Sequence, residues 1–290
     1  DDIKAEIKRL KKEGFTVFRD SEFSADMGSR TVKRVEDVAV MRTLQFAEDS
    51  GPMAHPVQPA SYMEISNFYT LTIYEKGAEL VRMYHTLLGP KLFRKATDIY
   101  FERHDGEAAT IENFIAAMED ASGRDLSQFK HWYSQAGTPV VQAKSHYDAQ
   151  HKTFTLTLKQ YCPDTPEATS NQKQPYLIPV NVALLGQDGP VDLVLENQPV
   201  GAREVVLEFT QPEQSFTFNN LNEEPLPTLF RGFSAPVKCA YPYKKHDLLK
   251  IATQDKDGFT RFDAFTQLAV VVIFDVMAAM RKKESWQVDP

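Results

Sequence analysis

The chain has 290 residues, of which 42% are hydrophobic, 25% charged and 11% aromatic. This composition supports sizeable buried cores and excludes an intrinsically disordered protein. The 33 Lys and Arg residues against 40 Asp and Glu residues leave a net charge of −7 without a long basic run. That balance argues against binding of nucleic acid by bulk charge, so we expect no nucleic-acid partner.

The chain is also expected to have no membrane partner. Its most apolar stretch, Leu268–Phe274, is followed by Asp275, and a membrane-spanning helix needs about 20 mostly apolar residues. The first residues, Asp1–Lys4, lack the basic and then apolar layout of a signal peptide. Cys162 and Cys239 show no metal-binding or redox spacing, although one disulfide between them stays open. We therefore expect a cytoplasmic protein.

Residues 14–136 have the periodicity of amphipathic helices. Apolar residues recur at intervals of three and four over 73–88 and again over 92–103, which predicts two helices there. Thr110 is the predicted N-cap of a third helix, because its hydroxyl can accept a backbone N–H bond. Asp125 and Gln128 have the spacing of a capping box that would open a fourth. Residues 1–12 are predicted to form a charged amphipathic helix.

After Gly137 the hydrophobic period changes to two, which is typical of half-buried strands. Between residues 154 and 158, apolar residues alternate with threonines. Turn residues separate four further short strands, which are predicted at Leu177–Leu185, Val191–Leu195, Glu204–Phe209 and Phe216–Asn219. Short strands with frequent turns predict a small antiparallel sandwich.

From about Lys244 the helical period returns. Apolar residues with three- and four-residue spacing follow the Asp257-Gly258 break, namely Phe262, Phe265, Ala269, Val272, Val276 and Met280. One such helix with a short helix before it cannot form a domain, so this section is interpreted as the start of another. The predicted domains are 1–137, 138–237 and 238–290.

Self-contained catalytic motifs are absent from the sequence. A zinc hydrolase usually places two histidines one helical turn apart with a glutamate between them, and none of the seven histidines forms such a pair. No Gly-x-Ser-x-Gly motif, Walker loop or dinucleotide-binding glycine pattern is present either.

Four longer segments carry a resemblance to a known family. They are Lys12–Asp20 (KEGFTVFRD), Asn67–Glu79 (NFYTLTIYEKGAE), Trp132–Pro139 (WYSQAGTP) and Leu229–Val237 (LFRGFSAPV). Together with intervening matches, they make the chain resemble the bacterial-type branch of the aminopeptidase N family, whose members are thermolysin-like zinc exopeptidases. The resemblance runs from about residue 13 to residue 274.

The resemblance implies an α+β multidomain architecture that agrees with the periodicity. Residues 1–137 would be the α-helical C-terminal part of a thermolysin-like catalytic domain. Residues 138–237 would be an antiparallel β-sandwich, and residues 238–290 would begin an all-helical C-terminal domain.

The resemblance also implies roles for three residues. Glu13 matches the third zinc ligand, Tyr74 matches the tyrosine that donates a hydrogen bond to the oxyanion, and Tyr69 matches an aromatic that lines the pocket for the first substrate side chain. The family's His-Glu-x-x-His helix and its Gly-x-Met-Glu-Asn element would precede residue 1. The implied cofactor is one zinc ion, the implied substrates are peptides, and the implied partner is the missing N-terminal part of the same enzyme. By itself the chain is expected to be inactive and not to retain zinc.

Other interpretations remain open at this point. Taken alone, Glu13 is an ordinary solvated carboxylate, and Tyr69 and Tyr74 are ordinary core tyrosines. Glu75 and Glu79 fit a solvated or ion-paired helix face. The alternative function is a non-enzymatic, truncated family member that acts as a scaffold or interaction protein.

Overall fold

A computed structural model of the chain describes residues 13–59, 69–195 and 201–283. The helix predicted for residues 1–12 lies outside these ranges, as does the Asn67-Phe68 part of the tyrosine motif. The described residues form a helical first part, two small sheets and a helical C-terminal part, which confirms the predicted α+β architecture.

Within residues 13–59 and 69–134, the helical first part has six α-helices, two π-helical turns and one 3₁₀ turn. In chain order they are α1 (Glu13–Met27), α2 (Arg30–Val40), a π turn (Met41–Gln45), α3 (Phe46–Asp49), a second π turn (Thr72–Lys76), α4 (Gly77–His104), α5 (Ile111–Ser122), a 3₁₀ turn (Ser127–Lys130) and α6 (His131–Ser134). The two helices predicted at 73–88 and 92–103 are joined in the structure. They meet at a kink where Gly89 has φ 73° and Pro90 follows, because proline cannot continue the preceding hydrogen-bond ladder.

The predicted start of α5 is confirmed. The Thr110 hydroxyl accepts a bond from the Asn113 backbone N–H at 3.3 Å, and the Asn113 side chain accepts one from the Thr110 N–H at 2.8 Å. This reciprocal pair satisfies two N–H groups that the first helical turn leaves without partners.

The capping box predicted at Asp125 and Gln128 is wrong. The Gln128 amide instead donates to the carbonyl oxygens of Pro175, at 3.1 Å, and Thr210, at 2.7 Å. Gln128 therefore ties the helical part to the sandwich, and only a short 3₁₀ turn and α6 form in this segment.

The sandwich comprises two sheets. Its strands are β1 (Val140–Asp148), β2 (Thr153–Tyr161), β3 (Ile178–Gly186), β4 (Gly189–Pro190), β5 (Val205–Phe209), β6 (Glu213–Phe218), β7 (Leu226–Leu229) and β8 (Lys238–Ala240), and a 3₁₀ turn (Arg231–Phe233) precedes β8. One sheet has the order β6-β2-β1-β8, with β8 parallel to β1, and the other has the order β4-β3-β5 with β7 also paired to β3.

Four of the five predicted strands are present, and the strand predicted at Val191–Leu195 is wrong. That segment makes isolated backbone bonds, such as Val191 N–H to the Leu184 carbonyl at 3.0 Å, and no continuous ladder. Strands β1, β4, β7 and β8 were not predicted, because β1 is mostly polar and the other three are only two to four residues long.

One continuous hydrophobic core connects the helical part and the sandwich. Trp132 of α6 is fully buried, its ring lies 4.6 Å from that of Tyr176, and its indole N–H donates to the Leu177 carbonyl at 2.8 Å. The two parts are therefore packed against each other through ordinary core contacts.

The C-terminal part consists of α7 (Lys245–Gln254) and α8 (Gly258–Lys282). Asp257 caps α8 by accepting the Thr260 N–H at 2.7 Å. Of the six apolar residues with helical spacing, three are half-buried and three are exposed, the latter including Phe265 at 63% and Met280 at 71%. Among the described residues, nothing covers the far end of this helix.

Helix α8 is long and apolar enough to cross a membrane by length and composition alone. It contains an 18-residue window with a mean hydropathy of 1.7, of which 6% is buried. Asp275 therefore does not exclude a spanning helix by length and composition, and the expected absence of a membrane partner stays a prediction. The buried core helix of a soluble protein passes the same test of length and composition.

Candidate active site

Helices α1 and α4 touch through two glycines. A Cβ atom placed on Gly14 would lie 2.6 Å from the carbonyl carbon of Gly77 and 2.9 Å from its Cα. No real Cβ fits at such distances, so this approach requires glycine at position 14. Gly14 directly follows Glu13, and Gly77 lies three residues after Tyr74. The contact between the two glycines therefore brings Glu13 and Tyr74 to the same end of the helix pair.

The structure places Tyr69 and Tyr74 together. Their rings are stacked at 24° with centroids 6.2 Å apart. Tyr74 is half-buried in the π turn Thr72–Lys76, and Tyr69 is 53% exposed. Within the described part of the chain, neither ring is a fully buried core group, and both are accessible to a molecule that binds at this surface.

Glu13 begins α1, and the structure describes only its backbone. Elsewhere in the described ranges, no group of three or more His, Cys, Asp or Glu residues could hold a metal ion. The described residues therefore do not fit a complete zinc site. The assignment of Glu13 as a ligand stays a prediction.

Glu48 caps the π turn that carries Tyr74. Its carboxylate accepts the Thr72 N–H at 2.8 Å and the Leu71 N–H at 3.4 Å, and it also accepts the Thr72 hydroxyl. A negative charge is stabilising at the start of a helix, where N–H groups lack intrahelical partners. The sequence analysis missed this residue, because its partners lie more than twenty positions further along the chain.

Asp49 and Lys76 form a buried ion pair at the other end of the same turn. The Lys76 Nζ donates to Asp49 Oδ2 at 2.9 Å, and their side chains are 0% and 1% exposed. The Nζ also donates to the Gly137 carbonyl at 2.9 Å, and the Thr138 hydroxyl donates to Asp49 Oδ2 at 2.9 Å. We call these four residues the Asp49 junction.

The junction keeps the Asp49 carboxylate ionised. Burial alone raises its pKa, but the Lys76 ammonium and hydrogen bonds from Gln45 and Thr138 outweigh that effect, so the pKa is lowered. The negative charge is therefore held in place at neutral pH.

The two acidic residues after Tyr74 differ in environment. Glu79 is buried and makes a bidentate pair with Arg34, with both N–O distances 2.6 Å, so the ion-paired interpretation holds for it. A second arginine, Arg82, is more distant, with its Nε 3.5 Å from Glu79 Oε1. Glu75 is half-buried, and burial raises its pKa. The negative charges of Asp37 and Glu79 raise this pKa further.

A cavity of about 520 Å³ lies beside the glycine contact. Phe15, Ile73 and Phe114 contribute apolar walls to it, whereas Tyr69 and Tyr74 are not among its lining residues. The tyrosine pair therefore does not line this apolar cavity.

Two family models match the chain. The peptidase family M1 domain matches residues 10–133, and an Ig-like domain of unknown function (DUF3458) matches residues 137–242. The first range contains the glycine contact and the tyrosine pair, and the second contains the eight strands that the structure describes.

Individual relatives agree with these matches. The chain is 49% identical to aminopeptidase N of Escherichia coli K12 over 263 residues, and this alignment covers 90% of the chain and 30% of that protein. It is 42% identical to aminopeptidase N of Haemophilus influenzae over 279 residues, and this alignment covers 96% of the chain and 32% of that protein. A crystal structure of Legionella pneumophila aminopeptidase A in complex with aspartic acid superposes with a TM-score of 0.78 at 26% identity, covering 98% of this chain and 30% of that one. The chain thus spans about a third of the length of these relatives, and it belongs to the aminopeptidase N family.

Proposed function

We propose that this chain forms the C-terminal part of the catalytic domain, and the regions after it, of a zinc aminopeptidase that removes N-terminal residues from peptides. The observation that carries the proposal is the Gly14–Gly77 contact, which brings position 13 and the Tyr69–Tyr74 pair to one end of α1 and the π turn. A metal ligand and an oxyanion donor must lie near each other if they are to act on one peptide bond.

Each residue has a proposed task. The Tyr74 phenol donates a hydrogen bond to the peptide carbonyl oxygen, and this bond strengthens as the oxygen gains negative charge. The Tyr69 ring forms a wall against the first substrate side chain. Glu13 would supply one carboxylate ligand for zinc, and a bound zinc ion would acidify water for hydrolysis. The other ligands and the general base would come from residues outside this sequence.

The 290-residue chain alone is proposed to be inactive. The reason is that a single carboxylate cannot form a three-ligand zinc site. Purified chain should contain no stoichiometric zinc and should not hydrolyse an amino-acid anilide. Turnover together with one bound zinc per chain would refute this part of the proposal.

A chimera tests the activity directly. The matching segment of E. coli aminopeptidase N is replaced by this chain, so that the relative supplies the residues before Glu13. The chimera should hydrolyse an amino-acid anilide. Glu13→Gln should lose zinc, whereas Tyr74→Phe should keep zinc and lose about 100- to 1,000-fold in kcat, as removal of one oxyanion donor does.

Tyr161→Phe is the matched control, because it removes the same hydroxyl from a tyrosine that is 46% exposed on the sandwich. Its turnover should equal that of the parent chimera. A zinc-loaded Tyr74→Phe chimera with undiminished kcat would exclude the proposed role of Tyr74.

The exposed apolar face of α8 also fits the second candidate function, a non-enzymatic scaffold that binds a partner protein. The coding sequence before Asp1 separates the two functions. A His-Glu-x-x-His motif in register with Glu13 supports the peptidase, and its absence favours the scaffold. We also propose a cytoplasmic location, which fractionation of cells that produce the protein would test.

A further inference from the structure

We propose that the Asp49 junction is a positioning device that fixes the π turn bearing Tyr74 to the start of the β-sandwich. The sandwich would then help to hold the candidate active site in place, and Thr138 would be the positioning residue that the sandwich contributes. This inference rests on the proposed function for the catalytic role of Tyr74, whereas the structural coupling itself can be tested without activity.

The first argument concerns the geometry of the turn. Residues Thr72–Lys76 are π-helical, a conformation that is rare and usually occurs as a single turn at a functional site. It packs against the other π turn, Met41–Gln45, and the Gln45 amide donates to the Thr72 hydroxyl at 3.2 Å. An uncommon backbone geometry of this kind persists when its surroundings hold it.

The second argument concerns the two ends of the turn. Glu48 binds the Thr72 end and Asp49 binds the Lys76 end, so one dipeptide holds both. Tyr74 lies midway, two residues from each. A displacement of this dipeptide would therefore move the Tyr74 backbone directly.

The third argument concerns the connection to the sandwich. Thr138 is 5% exposed and lies two residues before β1, and its hydroxyl and the Gly137 carbonyl each make a hydrogen bond to the ion pair. A buried ion pair adds little stability compared with well-packed apolar side chains, but its hydrogen bonds are directional. The junction thus defines one orientation of the turn relative to β1.

The structural coupling is tested in the 290-residue chain with 3-fluorotyrosine incorporated at position 74. Thr138→Val removes the hydroxyl and keeps the side-chain shape. Its ¹⁹F resonance at position 74 should shift by more than its linewidth or split in two. The matched control is Thr97→Val, which makes the same change at a buried threonine whose hydroxyl donates only to the Arg94 carbonyl of its own helix, at 2.8 Å, and should leave the resonance unchanged.

A resonance in folded Thr138→Val that coincides with that of the parent chain would overturn the proposal. If Thr138→Val does not fold, Asp49→Asn provides the same measurement, because the amide oxygen can still accept a bond while the charge is removed. An unchanged resonance in folded Asp49→Asn would overturn the proposal equally.

The consequence for catalysis is measured in the chimera with E. coli aminopeptidase N. Thr138→Val should lower kcat by about 10-fold or more, because small misplacements of a catalytic group are costly, and should leave KM and zinc content unchanged. Thr97→Val should leave all three unchanged. A Thr138→Val chimera with the parent kcat would refute the positioning role, whereas an inactive parent chimera with a shifted ¹⁹F resonance would refute the proposed function and leave the coupling intact.

Discussion

Replacement of Gly14 by alanine is the sharpest structural prediction, because its effect follows from one measured contact. The added methyl carbon would lie 2.6 Å from the Gly77 carbonyl carbon and 2.9 Å from the carbonyl oxygen. Favourable carbon–carbon contact begins at about 3.5 Å, so α1 and α4 would have to separate by roughly 1 Å. The obstructing atoms belong to the backbone, and no side-chain rotation can relieve the clash.

The expected cost of Gly14→Ala is about 1–3 kcal/mol of unfolding free energy, which is typical of overpacking. The reciprocal change, Gly77→Ala, is the matched control. Its Cβ would lie 3.4 Å from the Gly14 Cα, and Gly77 already has helical angles of φ −57° and ψ −40°. Because alanine favours a helix over glycine by up to about 1 kcal/mol, Gly77→Ala should be neutral or slightly stabilising.

Urea unfolding of the 290-residue chain, followed by Trp132 fluorescence in a Trp286→Phe background, measures both free energies. Trp132 is fully buried in the same core as α4, so its emission reports loss of this packing. Equal effects of the two substitutions, or a larger loss for Gly77→Ala, would show that the α1–α4 contact does not have the described geometry.

Two further predictions concern buried charges. Arg34→Met should destabilise the chain by about 3–5 kcal/mol, since it leaves the Glu79 carboxylate buried without its bidentate partner. The control Arg94→Met should change stability by less than about 0.5 kcal/mol, because the Arg94–Asp98 pair is exposed. Urea unfolding measures both free energies, and equal losses would contradict the prediction. The lowered pKa of Asp49 means that its stabilising effect is present above the unfolded value of about 3.9 and is lost as the pH falls through the folded value. The unfolding free energy of Asp49→Asn should therefore fall less steeply below about pH 4 than that of the parent chain, and identical pH profiles would argue against this contribution.

The candidate active site was only partly accessible to sequence reasoning. The segments containing Glu13, Tyr69 and Tyr74 could be recognised because they match contiguous family motifs. The residues that hold Tyr74 in place could not, since Asp49 is 27 positions from Lys76 and 89 from Thr138. No periodicity or short motif connects residues so far apart.

The burial of α8 could also be predicted only in part from the sequence. Its helical period and its start at Asp257 were evident in the sequence. Which face would be covered was not, because burial depends on what packs against a helix and not on the helix alone. In the described part of the chain, Phe259 and Ala264 are buried while Phe265 is exposed.

The sequence by itself determined the order of helical and strand sections, the cap at Thr110 and the family motifs. These features depend on backbone hydrogen bonds and side-chain spacing within a few residues, so local composition encodes them. Tertiary structure alone decided the Gly14–Gly77 contact, the Arg34–Glu79 pair and the Asp49 junction. Each of these joins residues that are distant in the chain, and only the packing of the whole domain brings their atoms within bonding distance.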